Sequence, residues 1–170
     1  MMKKVIIING TGGSGKDTFV EFVSKYAKVY NFSSIDKVKE VARVIGWNGG
    51  KTEKDRKFLS DLKKLTTEYN DMSFQSIIKA FLYFMENNFE MMFIHIREPE
   101  EIKRAVEKFH AETLLIRRKG HETILSNESD ARVEEYSYNY YYLNDTLEGL
   151  DLQAQDFVRK LRKENDNNGF

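Results

Sequence analysis

The chain has 170 residues, 41% of them hydrophobic and 32% charged, with 27 basic side chains against 27 acidic ones and no cysteine. That is one domain's worth of a soluble globular protein, long enough to bury roughly two-thirds of its unfolded surface without disulfide or metal staples. Disulfides, thiolate metal sites and a cysteine nucleophile are excluded, and the zero net charge argues against a general nucleic-acid binder, which carries a basic excess.

Met1-Met2-Lys3-Lys4 before Val5 to Ile8 has the charge order of a signal peptide, but the apolar run is far too short and Asn9-Gly10 ends it. No stretch approaches the ~20 apolar residues of a membrane helix, so the expectation is a cytoplasmic protein with no membrane partner. Val5 to Ile8 reads as a strand buried on both faces of a parallel sheet. A glycine-rich loop follows, and then Phe19, Val20, Val23 and Tyr26 at helical spacing. Val29 to Phe32 predicts a second strand.

Three helices come next: Asp36 to Trp47 (Val38, Val41, Ala42, Ile45), one marked by Phe58, Leu62, Leu65 and Tyr69, and one by Phe74, Ile77, Ile78, Phe81, Leu82 and Met85. This stretch, about 36–88, reads as an inserted helical cap within a single domain spanning 1–164, because no linker flanks it. Alternation then resumes with a strand at Met91 to Ile96, a helix opened by Pro99 and Glu100, and a strand at Thr113 to Ile116. Arg117 to Glu135 is polar and aperiodic, Tyr138 to Leu143 predicts a last strand, and Leu150, Ala154, Phe157, Val158 and Leu161 mark a last helix. The tail Asn165 to Phe170 is expected to fray. Five strands with intervening helices predict an α/β fold in three layers, an open, mostly parallel sheet with helices on both faces.

The chemistry sits in Gly10-Thr11-Gly12-Gly13-Ser14-Gly15-Lys16-Asp17-Thr18, which fits G-x-x-x-x-G-K with the hydroxyl one place late. Glycines let successive backbone N–H groups turn inward around a phosphate, and the following helix offers its positive end to the same anion. Lys16 then reaches the β- and γ-phosphates. A strand pattern before the loop and a helix pattern after it are the context the motif requires, so a nucleoside triphosphate, ATP, and magnesium are implied. Asp17 stands where a magnesium-binding hydroxyl is usual. Either its carboxylate holds the metal, or it favours the helix start electrostatically while Thr18 supplies the hydroxyl.

Gly15-Lys16-Asp17-Thr18 resembles the phosphate loop of the deoxynucleoside monophosphate kinase family and its relative the animal-type phosphomevalonate kinase, within the nucleoside monophosphate kinase-like P-loop proteins. Further elements occur in the same order. Ile96-Arg97-Glu98-Pro99-Glu100-Glu101-Ile102 is similar to the family's segment in which Asp-x-Arg precedes an acidic helix start, Asn127-Glu128-Ser129-Asp130 to its His-Glu-Ser-Glu stretch, and Asn144-Asp145-Thr146-Leu147-Glu148-Gly149-Leu150 to its Asn-x-Gly-Thr-Leu element. The resemblance implies a P-loop kinase fold whose helical insertion binds the acceptor. It implies γ-phosphoryl transfer from ATP to a small phosphorylated acceptor, with Lys16 on the ATP phosphates and Arg97 on the acceptor or the transferring group. Ser34 and Asp36 would face the acceptor, and Asn144 to Thr146 would lie near the adenine. One position departs: His95 occupies the place of the family's aspartate.

Arg97 also follows from location, since ligands of open parallel sheets bind outside the strands' carboxyl ends and arginine clamps phosphate with paired hydrogen bonds. The alternative is a salt bridge to Glu98 or Glu101. Arg117, Arg118 and Arg132 bracket the polar 117–135 segment, where such kinases carry a closing lid whose arginines meet the charge spread over the transferred oxygens. Any one of them is equally a solvated bystander. Arg56, in Lys54-Asp55-Arg56-Lys57 of the cap, is an acceptor-binding candidate, although a solvated charged face explains that run equally well. With only His95, His110 and His121, and no ligand spacing among them, a catalytic zinc is not expected. Tyr136, Tyr138 and Tyr140 to Tyr142 read as strand packing.

The expectation is an ATP- and magnesium-dependent phosphotransferase acting on a small-molecule acceptor, foremost a nucleoside or deoxynucleoside monophosphate. The alternatives are a regulatory NTPase, for which no Asn-Lys-x-Asp element is present, and the same fold acting on a non-nucleotide such as phosphomevalonate. Oligomeric state has no signature in the sequence.

Overall fold

A computed structural model describes residues 2–120 and 132–167. Residues 1–31 and 87–170 cluster as one compact unit and Phe32–Glu86 as another. In chain order the elements are β1 (Lys4–Asn9), α1 (Lys16–Val23), β2 (Val29–Ser33), α2 (Asp36–Val44), α3 (Glu53–Asn70), α4 (Met72–Glu86), β3 (Met91–His95), α5 (Pro99–Phe109), β4 (Glu112–Arg118), a 3₁₀ turn (Val133–Glu135), β5 (Tyr140–Asn144) and α6 (Leu147–Asn167). The strands form one five-stranded sheet in the order β2-β3-β1-β4-β5. β1 pairs in parallel with both β3 and β4, and β4 in parallel with β5.

The continuous apolar run of β1 is explained by its place. It is the central strand, and Ile6, Ile7 and Ile8 are wholly buried. Because successive side chains alternate, Ile6 and Ile8 join Phe93, Leu114 and Ile116 in the core shared with α1 and α6, through Phe19, Val23, Leu150, Phe157 and Leu161. Ile7 faces the other way, and α5 packs against β1 with Ile102 and Ala105 fully buried. Helices on both faces of a parallel sheet make a three-layer α/β fold.

Three boundaries differ from the sequence reading. β4 continues through Arg117 and Arg118, which had been read as the start of an aperiodic segment, because they pair in register with Leu143 and Asn144. β5 begins at Tyr140 rather than Tyr138, since Tyr138 and Asn139 spend their polar groups on contacts outside the ladder. α6 runs to Asn167, beyond Leu161, the last of the apolar residues that mark it in the sequence. Asn127 to Asp130 and His121 lie outside the described residues.

In the second unit α2, α3 and α4 pack on one another, with Val38, Ala42, Phe74, Ile77, Ala80 and Phe84 buried. α3 begins at Glu53, ahead of its first apolar residue, because Thr52 and Asp55 form a capping box there. The Asp55 carboxylate accepts from the Thr52 hydroxyl at 2.7 Å and from its N–H at 2.9 Å. The first of these bonds above all holds its carboxyl below the ordinary value of 3.8. A depressed carboxyl pKa contributes stability that is present above the unfolded value and lost as pH falls through the folded one. Thermal unfolding of wild type and Asp55→Asn, followed by fluorescence of Trp47, should therefore separate at neutral pH and converge as the pH falls through the depressed folded-state value of the Asp55 carboxyl. A gap that persists in acid contradicts this. Among the described residues no helix is long and apolar enough to cross a membrane.

Candidate functional site

The loop that follows β1 is shaped by two glycines. Gly10 has φ +153°, and a Cβ there would stand 2.5 Å from the carbonyl oxygen of Ile116 and 2.5 Å from Ser14 Oγ. Gly15 has φ +99°, and a Cβ there would run into Asn144 Nδ2. Neither position admits a side chain, which is why the loop can lie close against the ends of β4 and β5. Between the two glycines Ser14 N donates to the Thr11 carbonyl at 3.1 Å, and Phe19 N to the Gly15 carbonyl at 2.9 Å starts α1. α1 is entered from Gly15 with no side-chain cap, so its positive end is left to an anion.

The donors around the loop suit a phosphate. Ser14 is 1% exposed and its Oγ is buried with no hydrogen-bond partner, a cost that a phosphate oxygen accepting from it removes. Lys16 Nζ is held by the loop's own carbonyls, donating to Gly10 O at 2.7 Å and Thr11 O at 3.2 Å. Arg118 Nη1 donates to Gly13 O at 3.2 Å from the end of β4, and Asn144 Nδ2 to Ser14 O at 3.1 Å from the end of β5. Thus Gly10, Gly12, Gly13, Ser14, Gly15, Lys16, Arg118 and Asn144 share one edge of the sheet, the carboxyl edge at which ligands of parallel sheets bind.

Other expected residues are placed differently. Arg97 lies two residues beyond β3 and is half-buried, and its backbone carbonyl accepts from Asn9 Nδ2 at 3.1 Å. Arg117 is turned to the 3₁₀ turn: its Nε and Nη2 bond both oxygens of Glu134 at 2.8 and 2.6 Å, and its guanidinium lies 4.8 Å from the Tyr141 ring centre. That pairing holds the Glu134 carboxyl below the usual range. Arg132 pairs with Glu100 and, at 3.2 Å, with Glu135. Thr146 precedes α6, its Oγ1 accepting from Gly149 N at 3.0 Å.

In the helical unit Ser34 is buried, its carbonyl accepting from the Ser73 hydroxyl and its Oγ lying 3.5 Å from Lys63 Nζ. Asp36 reaches back to Ser33 N at 3.0 Å, and Arg56 is exposed on the first turn of α3. His95 ends β3 with Nε2 2.8 Å from Asn31 Oδ1.

Among the described residues no three carboxylates, histidines or cysteines cluster as a metal cage. Magnesium does not need one, since it is commonly held by one or two carboxylates together with substrate phosphates. Asp17, exposed in the first turn of α1, and the adjacent half-buried Thr18 fit that donor set.

Sequence reasoning missed Asn9 and Tyr138, which are bonded to each other beneath the loop. A polar residue closing an apolar strand was the available signal for Asn9. Tyr138 was hidden in a run of tyrosines.

No protein-family model matches the chain, and no curated protein matches it significantly. It is similar to the crystal structure of TT1252 from Thermus thermophilus, with a TM-score of 0.54 and 17% identity over 95% of this chain and 99% of that one. At that identity the likeness shows the fold alone. A thymidylate kinase from Ehrlichia chaffeensis (TM-score 0.46, 11% identity, 93% of this chain and 100% of that one) and a sugar kinase from Janibacter sp. (TM-score 0.45, 11% identity, 94% and 95%) align less closely.

Proposed function

We propose that the chain is an ATP- and magnesium-dependent phosphotransferase that moves the γ-phosphoryl group of ATP to a small phosphorylated acceptor, a nucleoside or deoxynucleoside monophosphate. The observation that carries this reading is the convergence of Lys16, the orphaned Ser14 hydroxyl, Arg118 and Asn144 on one glycine loop at the carboxyl edge of the sheet.

The loop amides and Ser14 Oγ bind phosphate oxygens, and Lys16 exchanges the Gly10 and Thr11 carbonyls for them. Arg97 and Arg118 offset the charge that spreads over the oxygens during transfer. Asp17 and Thr18 are the residues that would hold magnesium, which when bound neutralises charge on the β- and γ-phosphates. An acceptor that is already a phosphate dianion needs no strong general base, so catalysis is mostly positioning and charge stabilisation.

The test is ADP formation with ATP and magnesium, offered a panel of ribo- and deoxyribonucleoside monophosphates and phosphomevalonate. At least one acceptor should raise the rate above that with ATP alone, and a panel without any effect overturns the reading. With the active acceptor, Arg97→Ala should lower kcat about 100-fold and leave ATP affinity within a few-fold. Equal losses in both would contradict its role.

A further inference from the structure

Three segments at the carboxyl edge of the sheet meet at one buried amide. Asn9, the last residue of β1, is 0% exposed. Its Oδ1 accepts from Gly10 N at 2.8 Å, the first amide of the phosphate loop. Its Nδ2 donates to the Arg97 carbonyl at 3.1 Å and to the Tyr138 hydroxyl at 2.9 Å, which uses both of its hydrogens. The Tyr138 hydroxyl in turn donates to the Val133 carbonyl at 2.8 Å, in the 3₁₀ turn that follows Arg132.

A second route joins the same partners. Tyr138 N donates to the Tyr141 hydroxyl at 2.8 Å, the Tyr141 ring lies under the Arg117 guanidinium, and Arg117 grips Glu134, next to Val133. The turn is therefore held twice, and both routes end on Tyr138. Burial pushes the Tyr138 hydroxyl up to about 12, so it remains a donor throughout the neutral range. Apolar side chains would fill this space without desolvating an amide and a phenol, so packing alone does not call for them.

We propose that Tyr138, acting through Asn9, is a positioning residue that couples the phosphate loop to the turn of Val133–Glu135, so that an anion bound at Gly10–Lys16 orders that turn and sets Arg97. The chain of contacts is continuous and has no solvent-exposed link between Gly10 and Val133. The inference rests on the reading of Gly10–Lys16 as a nucleotide-phosphate loop.

The test is hydrogen exchange of the full chain with and without ATP and magnesium, read by mass spectrometry. In wild type ATP should slow exchange about fivefold or more both in the loop peptide (10–18) and in the peptide covering 132–138. Tyr138→Phe keeps the ring and loses only the hydroxyl. It should retain the loop protection and lose most of that at 132–138, and with the active acceptor its kcat should fall about tenfold while the KM for ATP stays within about twofold. Asn9→Asp, which turns the Nδ2 donor into an acceptor, should give the same pattern and serves if Tyr138→Phe fails to fold. A folded Tyr138→Phe with wild-type protection at 132–138 overturns the proposal. A wild type unprotected at both peptides overturns it together with the reading of the loop. Protection of both peptides that depends on Tyr138, but with no acceptor raising ADP formation, supports the coupling and removes only the transferase reading.

Discussion

Lys16→Ala should abolish acceptor-dependent ADP formation, lowering kcat by about two to three orders of magnitude, while the protein unfolds at nearly the wild-type temperature. The asymmetry follows from where the side chain is spent. Its ammonium donates to the carbonyls of Gly10 and Thr11 within its own loop, at 2.7 and 3.2 Å, and the residue is half-buried, so hydrogen bonds worth about 1 kcal/mol each are a small loss to the fold. In phosphoryl transfer the same charge faces oxygens whose negative charge redistributes between ground state and transition state, where one well-placed donor is worth about 3–4 kcal/mol. Stopped-assay ADP quantification with the active acceptor, paired with a thermal melt, decides it. A variant that retains a tenth of the wild-type kcat would remove Lys16 from the reaction. A variant that melts far below wild type would show that its role is structural.

Gly10→Ala should be the most damaging single change in the loop, destabilising the protein by about 2–4 kcal/mol and eliminating ATP binding. Two costs add. At φ +153° a side chain is strained whatever its surroundings, and here the Cβ would meet the Ile116 carbonyl at 2.5 Å, a backbone atom locked in the β4 ladder. Ser14 Oγ, also at 2.5 Å, could rotate away, but the Ile116 carbonyl could not. Gly13→Ala is the control: φ is +74° there and nothing lies within 4 Å of the added Cβ, so only the backbone strain of about 1–2 kcal/mol is expected. Urea denaturation of the two variants gives the comparison. Equal losses would mean that the close approach of β4 to the loop does not constrain the site.

The two glycines differ only in what the rest of the fold brings near them, which marks the limit of local reading. The run Val5–Ile8, the glycine loop and the helix behind it were legible because each has a period or composition dictated by its own backbone, whatever the partner. The helices of the 36–88 stretch were legible for the same reason, and the capping box starts α3 five residues ahead of Phe58, the aromatic that announces it. Arg117, Arg118 and Arg132 were equivalent in sequence. The structure separates them, because alternation along β4 points neighbouring arginines to opposite faces, one to Glu134 and Tyr141 and the other to Gly13. Tyr138 was read as strand packing since five tyrosines in seven positions suggest a β-ribbon. Its hydroxyl's bonds to Asn9 and Val133 span 129 and 5 residues of separation, and only the first of these is beyond local rules.

With 27 basic and 27 acidic residues in balance, any polyanion site is expected to be local, and the sequence alone located the candidate loop, Gly10–Lys16. Phosphate recognition by backbone amides needs only a short contiguous loop between a strand and a helix, so its whole grammar is written in consecutive residues. Which side chains join the loop was decided by the tertiary structure. Arg118 and Asn144 arrive from β4 and β5 through parallel pairing, and Asn9 meets Tyr138 across more than a hundred residues of chain. Parallel strands lie side by side only after long crossovers, so the contacts at their carboxyl ends depend on register and strand order, neither of which is a property of any one segment.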